Sequence, residues 1–284
     1  EILANAVASI PVTKRMRWGR ERHEFLRPIQ WVLALLDTQV IDVVIMGITS
    51  DRQTLGHRFH HPEAITLESP AKYEETLLAA YVLADFDLRR ERIRSQVVAI
   101  ADGLQANAVI DETLLNEVTG LVEWPVALQG SFDPAFLEVP AGAVISSMKE
   151  HQKYFHLVSN EGDLLPLFIT ISNIESNRPA SVIAGNERVI RPRLSDAAFF
   201  FETDKKKTLE SRLESLDSVL FQKQLGTLKD KSQRISELAG YIAEQLGADK
   251  DLAQRAGLLS KTDLMTEMVM EFTDVQGVMG MHYA

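Results

Sequence analysis

The pattern of apolar residues changes near residue 175, and this change constrains the fold more than any other feature of the sequence. Before it, runs rich in Val and Ile stand among helical patterns; after it, apolar residues recur at three- and four-residue steps. Strands followed by helices are typical of α+β folds. We therefore predict an α+β protein, with a mixed α/β module containing antiparallel hairpins at residues 1–180 and an all-helical region at residues 181–284.

The first half of the module has one predicted hairpin and two predicted helices. Residues 29–36 and 40–48 are apolar runs separated by a short polar break at 37–39, which favours a β-hairpin. A helical pattern over residues 70–107 begins with Pro70 in a first-turn position, and a second covers 112–122.

In the second half of the module, the sequence predicts a helix followed by another hairpin. Apolar residues recur at helical spacing over residues 141–155. Two β segments then flank the turn at residues 160–163, whose Asn, Gly and Asp favour tight reversals. Pro166 cannot donate to a strand ladder, so we expect it at a strand start or a sheet edge.

Three helical stripes follow residue 175, with no convincing strand among them. Gly247 is expected to end the second. The stripes consist of Leu209, Leu213, Leu216 and Leu220; then Leu228, Ile235, Leu238, Ile242 and Leu246; then Leu252, Ala256 and Leu259, continued by Leu264, Met268 and Phe272.

Composition excludes several classes of protein. A formal net charge of −10 argues against nucleic-acid binding over the whole surface. The absence of cysteine excludes disulfides and thiol catalysis, and it agrees with a reducing cytoplasm. No apolar run is long enough for a membrane helix. Phosphate-binding loops, the GxSxG elbow and the HExxH motif are absent, and we predict no catalytic residue.

Histidines offer the main alternative chemistry. His57, His60 and His61 cluster in GHRFHHP, but one loop supplies too few ligands and no clear second shell, so we predict no metal site and favour structural or solvent-facing roles. His151 and His156 are candidates for acid–base work, with packing or surface placement as the favoured alternative.

The helical region allows one test for metal-dependent phosphohydrolases of the HD type, which need an adjacent His-Asp pair. No His-Asp dipeptide occurs anywhere in the chain. The corresponding stretch carries Lys261 and Asp263, and a lysine repels a cation. Phosphohydrolase chemistry is therefore disfavoured.

A basic and aromatic segment at residues 185–207 is the strongest candidate for phosphate binding. Two readings remain open: contact with RNA phosphates, or a helix whose phenylalanines are core and whose charges face solvent. The basic residues of the segment are Arg188, Arg191, Arg193, Lys205, Lys206 and Lys207, and Phe199, Phe200 and Phe201 lie among them. A second basic run lies at residues 14–27 and contains Arg15, Arg17 and Arg20.

With these residues in view, the chain resembles the beta subunit of the bacterial heterotetrameric glycyl-tRNA synthetase. The resemblance extends over essentially the whole sequence. The matching stretches, in chain order, are MRWG with FLRPIQW, SDRQTLGHRF, LVEWPVAL, HQKYF, ISNIES, GNERVIRPRLSDAAFF, LFQKQLGTLKDKSQRI and KTDLMTEMVMEFTDVQGVMG.

The resemblance implies a division of labour between subunits. The alpha subunit would use ATP and Mg to join glycine to its tRNA, while the beta subunit holds the tRNA within an alpha2-beta2 assembly. No cofactor is expected in these residues, and no membrane or DNA partner is implied. Because family members are much longer, we expect an internal piece from the N-terminal half, with the anticodon-binding domain beyond Ala284.

The resemblance also gives expectations for the two regions. The first is similar to the editing-type module of the phenylalanyl-tRNA synthetase beta chain, and the second to an HD domain that has lost its metal ligands. Editing itself, through His151 or Asn173, is a minority hypothesis because no nucleophile or base supports it.

The expected role of this region is to position tRNA rather than to catalyse. A purely structural scaffold is the alternative, and a surviving phosphohydrolase is a distant third. The residues expected to contact tRNA phosphates are Arg191, Arg193, Lys205 and Lys206 first, and Arg15, Arg17 and Arg20 second.

Overall fold

The computed structural model describes residues 2–20 and 22–284, so Glu1 and Glu21 lie outside the described residues. By its internal contacts the chain divides into two units. The first unit takes in described residues of 1–93, 115–126 and 172–175; the second takes in 94–114, 127–171 and 176–284. The mixture of helices with small antiparallel sheets agrees with the predicted α+β class. The boundary at residue 180 stays a prediction.

The first unit begins with helix α1 and continues as a series of small antiparallel hairpins. Helix α1 spans Ile2–Ser9. The strands pair as β1 Met16–Arg17 with β2 Glu24–Phe25, β3 Leu35–Leu36 with β4 Gln39–Val40, β5 Val44–Ile45 with β6 Ile48–Thr49, and β7 Gln53–Leu55 with β8 Ala64–Thr66.

The hairpin predicted from residues 29–36 and 40–48 is confirmed at its polar break but is shorter than expected, because the segment forms two successive short hairpins. The polar break at Asp37 does turn the chain, with φ of 51°. A second reversal lies inside the apolar run at Met46 and Gly47, where φ is 49° and 82°. Two consecutive positive φ values are typical of a tight hairpin turn, and glycine reaches this region at little cost.

The single helix predicted over residues 70–107 is also interrupted. A 3-10 turn at Pro70–Lys72 leads into α2 at Tyr73–Ala79, and α3 begins only at Phe86 and ends at Gly103. Tyr81 has φ of 61°, a left-handed conformation that ends a right-handed helix. Asp85 then starts α3 by accepting a hydrogen bond from the Leu88 backbone N–H at 2.8 Å.

Helix α4 confirms the prediction at residues 112–122, since it spans Glu112–Leu121. Its first turn is capped by the carboxylate of Asp111, which accepts a hydrogen bond from the Leu114 backbone N–H at 2.9 Å.

A four-stranded sheet organises the second unit, and its strand order is β10-β12-β11-β9. The strands are β9 Asn107–Ala108, β10 Val126–Ser131, β11 Phe155–Val158 and β12 Leu164–Ser172. The predicted hairpin is confirmed as β11 and β12, whose turn contains Gly162 with φ of 94°. Pro166 was expected at a strand start or a sheet edge, but it is the third residue of β12, an inner strand of the sheet. A register irregularity in the pairing with β11 accommodates the residue that cannot donate.

The predicted helix at 141–155 is shorter than expected. Helix α5 spans Ala141–Ser146 and continues as one π-helical turn at Ser147–His151. Lys153, with φ of 60°, then turns the chain out of the helix, and Phe155 already belongs to β11. The helical spacing of Phe155 was therefore coincidental.

Helix α6, Pro179–Asp204, packs against the main core of the second unit. It buries Ile190, Leu194 and Ala197. This core also contains Phe132, Val139, Ala143, Val144, Met148, Tyr154, Phe168, Met268, Val269, Phe272, Val275 and Met279. Burial of apolar side chains at about 25 cal/mol per Å² is the dominant stabilising term for such a core.

The first helical stripe after residue 205 is not an α-helix. Residues Glu210–Ser218 form a 3-10 helix, and Leu220 lies in strand β13, Leu220–Gln222, which pairs with β14, Gly226–Thr227. The expectation of no strand after residue 175 was therefore wrong. Gly226, with φ of 82°, supplies the reversal that the spacing of the leucines did not reveal.

The remaining helices begin with the pair α7, Leu228–Gln245, and α8, Lys250–Leu259, separated at Gly247 as predicted. Helix α7 has a capping box formed by Thr227 and Asp230. Later elements are a 3-10 turn at Thr262–Met265, α9 at Glu267–Glu271, a 3-10 turn at Thr273–Val275 and α10 at Val278–Tyr283. The likeness to an HD domain stays a prediction.

Helix α7 buries a face roughly 100° around its axis from the one its leucines indicate. Ser232, Ser236, Gly240 and Ala243 are its buried residues. The Ser236 hydroxyl donates a hydrogen bond to the Gln254 carbonyl oxygen at 2.8 Å, and a Cβ added at Gly257 would lie 2.9 Å from the Ser236 Cα. Small residues therefore let the two backbones approach closely, and this close crossing leaves the larger apolar side chains of α7 exposed.

No helix among residues 2–20 and 22–284 is both long and apolar enough to cross a membrane.

The close crossing of α7 and α8 predicts opposite effects for two alanine substitutions. Gly257→Ala drives a methyl group into the Ser236 backbone and should lower the free energy of unfolding by about 1–3 kcal/mol. Gly185→Ala, in α6 with open space around it, should raise that free energy by about 0.5–1 kcal/mol. Urea unfolding of both variants checks the pair; a stabilising Gly257→Ala would contradict the close crossing.

Candidate functional site

The four first-choice basic residues lie in or just after helix α6, and all four are exposed. Pro192 lies within the helix and cannot donate the backbone hydrogen bond of its position. Because Ile190 and Leu194 face the core, the charged residues between them are held at the surface by packing.

Arg191 and Arg193 do not share a face of α6. Residues two positions apart on an α-helix leave its axis roughly 160° apart. Arg191 lines a cleft of about 290 Å³ with Glu187 and Asp133. Arg193 lies on the side of Glu271, with 3.8 Å between its Nη1 and the carboxylate Oε1. The two arginines therefore cannot act as one phosphate clamp in this conformation.

Lys205 and Lys206 follow the last turn of α6. The Lys205 ammonium donates to Glu202 Oε1 at 2.8 Å and lies 5.1 Å from the centre of the Phe201 ring. Lys206 is exposed. Exposed ion pairs contribute only about 0–1 kcal/mol, so Lys205 can exchange Glu202 for a phosphate at little cost.

The three phenylalanines near these lysines divide between core and surface. Phe200 and Phe201 pack against the core of the second unit, and Phe201 stacks on Tyr283 with ring centres 5.8 Å apart. Phe199 is 65% exposed. The reading in which the aromatic residues belong to the core therefore holds for two of the three.

The second-choice arginines lie in the first unit. Arg17, in β1, donates to Glu24 of β2 at 2.7 Å. Arg15 donates to the Ala8 carbonyl oxygen at 3.3 Å, and Arg20 is exposed. The structure thus places the first-choice and second-choice residues in different units.

The histidine cluster has a structural arrangement rather than one suited to a metal. No three of the metal-binding residue types come together in the described part of the chain. His57 is 1% exposed, and its Nδ1 accepts hydrogen bonds from the backbone N–H groups of Phe59 and His60 at 3.2 Å each. The proton of a neutral imidazole must then be on Nε2, which donates to the Asn173 carbonyl oxygen at 2.6 Å.

Asn173, a candidate for editing, holds the framework together. Its Oδ1 accepts hydrogen bonds from the backbone N–H groups of Glu123 and Trp124 at 2.7 and 3.0 Å. The Glu175 backbone N–H donates to Nε2 of His60 at 3.1 Å. The other editing candidate, His151, is exposed and packs edge-on against Phe272. Both residues therefore have packing or framework contacts.

A row of rings in the first unit was not predicted from the sequence. The ring of His57 lies 4.6 Å from that of His60, which lies 4.8 Å from Tyr81. Tyr81 meets Trp124 edge-on at 5.2 Å, and the Arg92 guanidinium lies 4.0 Å from the centre of a Trp124 ring. The motifs GHRFHH and LVEWPVAL carry several of these residues, but nothing in the sequence shows that the motifs meet.

The sequence also did not predict a buried carboxylate in the second unit, that of Asp204. Asp204 accepts hydrogen bonds from Arg212 at 3.0 Å and from the backbone N–H groups of Glu267 and Met268 at 3.0 and 2.9 Å. The Tyr283 hydroxyl donates to it at 3.2 Å. Burial, followed by the Asp204 charge, raises the pKa of Tyr283 above its usual value. Fully satisfied in this way, Asp204 serves to join α6, α9 and α10.

Asp263, from the stretch considered for HD chemistry, is buried as well. One of its oxygens accepts from the backbone N–H groups of Gly277 and Gly280. It therefore anchors the start of α10, and Lys261 is the N-cap residue of the 3-10 turn that contains Asp263.

His156 is the buried histidine of the sheet. Burial lowers its pKa from the usual value, and the neighbouring Lys149 ammonium lowers the pKa further. Lys149 itself donates to Asp111 at 3.0 Å, and this contact raises the pKa of Lys149. The geometry favours a neutral, packed imidazole.

The lowered pKa of His156 predicts loss of stability in mild acid. The unfolded chain, with a histidine pKa near 6.5, binds protons at higher pH than the folded chain does. The free energy of unfolding should therefore fall as pH drops through about 6.5 toward the folded-state pKa. His156→Gln should remove this part of the slope, as measured by denaturant unfolding at several pH values; identical slopes for the two proteins would contradict the assignment.

Comparison with known proteins gives the family. The family described as glycyl-tRNA synthetase beta subunit matches residues 1–284. The chain is 60% identical over 284 residues to the glycine–tRNA ligase beta subunit of Pseudoalteromonas translucida, and 57% and 52% identical to those of Hahella chejuensis and Azotobacter vinelandii. Each match covers 100% of this chain and 41% of the relative's length. The chain belongs to the glycyl-tRNA synthetase beta subunit family.

Proposed function

We propose that this chain is a tRNA-handling region of a glycine–tRNA ligase. The observation that carries the proposal is the match to beta subunits over every residue of the chain. In the complete enzyme, glycine would be joined to its tRNA at the expense of ATP, with Mg, on the alpha subunit. The alpha subunit, glycine tRNA and an alpha2-beta2 assembly are therefore the proposed partners, DNA is not one, and the cytoplasm is the proposed place.

The proposed mechanism is positioning of a polyanion. Exposed arginines and lysines at the end of α6 and around β1 supply local positive charge on a chain whose net charge is −10. Contacts to phosphates fix the orientation of a nucleic acid without reading its sequence. Holding a reactant in place can lower a barrier by several kcal/mol, which is how a non-catalytic region contributes to the ligase.

Arg191 and Arg193 enter this proposal as separate contacts. Since they point to different sides of α6, each would neutralise a different phosphate or meet a different strand of the tRNA. A carboxylate lies on each side: Glu187 lines the same cleft as Arg191, and Glu271 lies 3.8 Å from Arg193.

A scaffold role is the competing proposal, and one observation favours it. The α7–α8 pair leaves large apolar side chains at the surface, with Leu246 78% exposed. The others are Leu238, Tyr241, Ile242 and Leu252. Exposed apolar patches of this kind often mark contact surfaces. Handling of tRNA ranks first because the relatives are named for tRNA and the exposed cations suit it.

The tRNA proposal predicts the behaviour of two single variants in the assembled ligase. Arg191→Ala and Arg193→Ala should each weaken tRNA binding and reduce the slope of log affinity against log salt by about 1, because each removes one phosphate contact. Binding to a glycine tRNA transcript is measured across a salt series, together with charging at limiting tRNA.

Arg255→Ala is the matched control, since Arg255 is an exposed helical arginine paired with Glu210 at 3.1 Å. It should leave the salt slope unchanged. If both α6 variants charged limiting tRNA as well as the wild type does, their assignment to tRNA binding would be wrong.

A further inference from the structure

The row of rings in the first unit reaches the surface. At one end lies His57, which is buried; toward solvent lie Tyr81, 38% exposed, and Phe59, 70% exposed. Phe59 lies 6.2 Å from His57, measured between ring centres. The row therefore presents flat aromatic surface to solvent and has a buried base.

The row is held in place by hydrogen bonds rather than by loose packing. His57 accepts from the Phe59 backbone and donates to Asn173, and Asn173 accepts from the Trp124 backbone. Tyr81 keeps a left-handed backbone, which is uncommon for a residue other than glycine and persists only where its surroundings impose it. Preorganised aromatic surface of this kind loses little entropy when a ligand binds.

Two arginines accompany the rings. Arg58 lies 5.9 Å from the centre of the Phe59 ring, and Arg92 lies over Trp124. Neither guanidinium forms an ion pair with any residue of the described ranges. Trp124 Nε1 is buried and has no hydrogen-bond partner there. Glu63, also in this loop, has a carboxylate oxygen 3.8 Å from His61 Nδ1.

Flat rings beside guanidinium groups that contact rings but form no ion pair in the described residues suit one class of ligand. Proteins bind unpaired nucleotides by stacking the bases on aromatic or guanidinium planes, while cations meet the phosphates. A purely apolar partner would gain nothing from Arg58 and Arg92, and a base-paired duplex hides the faces of its bases.

We propose that Phe59, Tyr81 and the rings behind them form a stacking platform for an unpaired nucleotide of RNA, with Arg58 and Arg92 meeting its phosphates. The inference rests on the proposed function, because it names the part of a tRNA that this surface takes. The bound nucleotide is unpaired, at the 3′ end or in a loop, and stacks on the exposed face of Phe59.

The experiment uses the assembled ligase and glycine tRNA transcripts that carry 2-aminopurine either at the unpaired 3′ end or in a loop. Stacking quenches the fluorescence of this base. With wild-type protein, one of the labels should be quenched on binding. Phe59→Ala should abolish that quenching and weaken binding about tenfold, in the range found for loss of one base–aromatic stack, with the salt slope unchanged.

Two further variants separate stacking from general damage. Phe59→Trp keeps an aromatic face and should retain the quenching. Tyr73→Ala removes another exposed aromatic residue, 37% exposed at the start of α2, and should behave as wild type.

The outcomes distinguish this proposal from the broader one. Steeply salt-dependent tRNA binding without quenching of any label would overturn the platform and leave tRNA handling intact. Another outcome would support the platform and overturn the proposed function. In it, the enzyme quenches a labelled single-stranded RNA oligomer, Phe59→Ala abolishes that quenching, and the enzyme does not bind tRNA through this chain. Quenching that Phe59→Ala leaves unchanged would also overturn the platform.

Discussion

The buried carboxylate of Asp204 is the constraint on which the arrangement of the second unit depends. A buried charge is costly unless it is paired and hydrogen-bonded, and removing one partner of such a pair typically costs about 3–5 kcal/mol. Asp204 meets this requirement by joining the Arg212 guanidinium to the first backbone N–H groups of α9 and to the Tyr283 hydroxyl. The end of α6, and with it the exposed Lys205 and Lys206, is thereby fixed against the helices that follow.

In the first unit, an uncharged residue joins distant segments by hydrogen bonds, as Asp204 does in the second. Asn173 joins the loop of His57 to the segment of Trp124 through its carbonyl oxygen and its side-chain oxygen. These partners lie far apart in sequence, and Asn173 is one of the residues that bring them together. Backbone hydrogen bonds from His57 to Ala80 and from Leu83 to Glu123, each 2.9 Å long, join the same segments. The basic residues of both units and the row of rings share one property. In each case, exposed groups that can contact phosphates or bases lie on a rigid part of the structure.

The sequence predicted the elements whose signals are local. The turn at residues 160–163, helix α4 and the stop at Gly247 follow from turn and cap chemistry that nearby residues supply. The failures came where backbone conformation or packing overrode periodicity. Tyr81 and Lys153 adopt positive φ without being glycine, so neither helix end could be predicted. Helix α7 turns its small residues inward because Gly257 of α8 allows close approach, and its leucine stripe therefore indicated the wrong face.

The candidate site shows the same limit. Sequence alone singled out the basic residues of α6 but could not show that Arg191 and Arg193 diverge, and it could not connect His57 with Asn173. Mapping of ultraviolet crosslinks between the assembled ligase and glycine tRNA tests the central claim most directly. The account predicts crosslinked peptides at the Phe59–Tyr81 surface and along α6. Crosslinks confined to parts of the enzyme outside these 284 residues would contradict it.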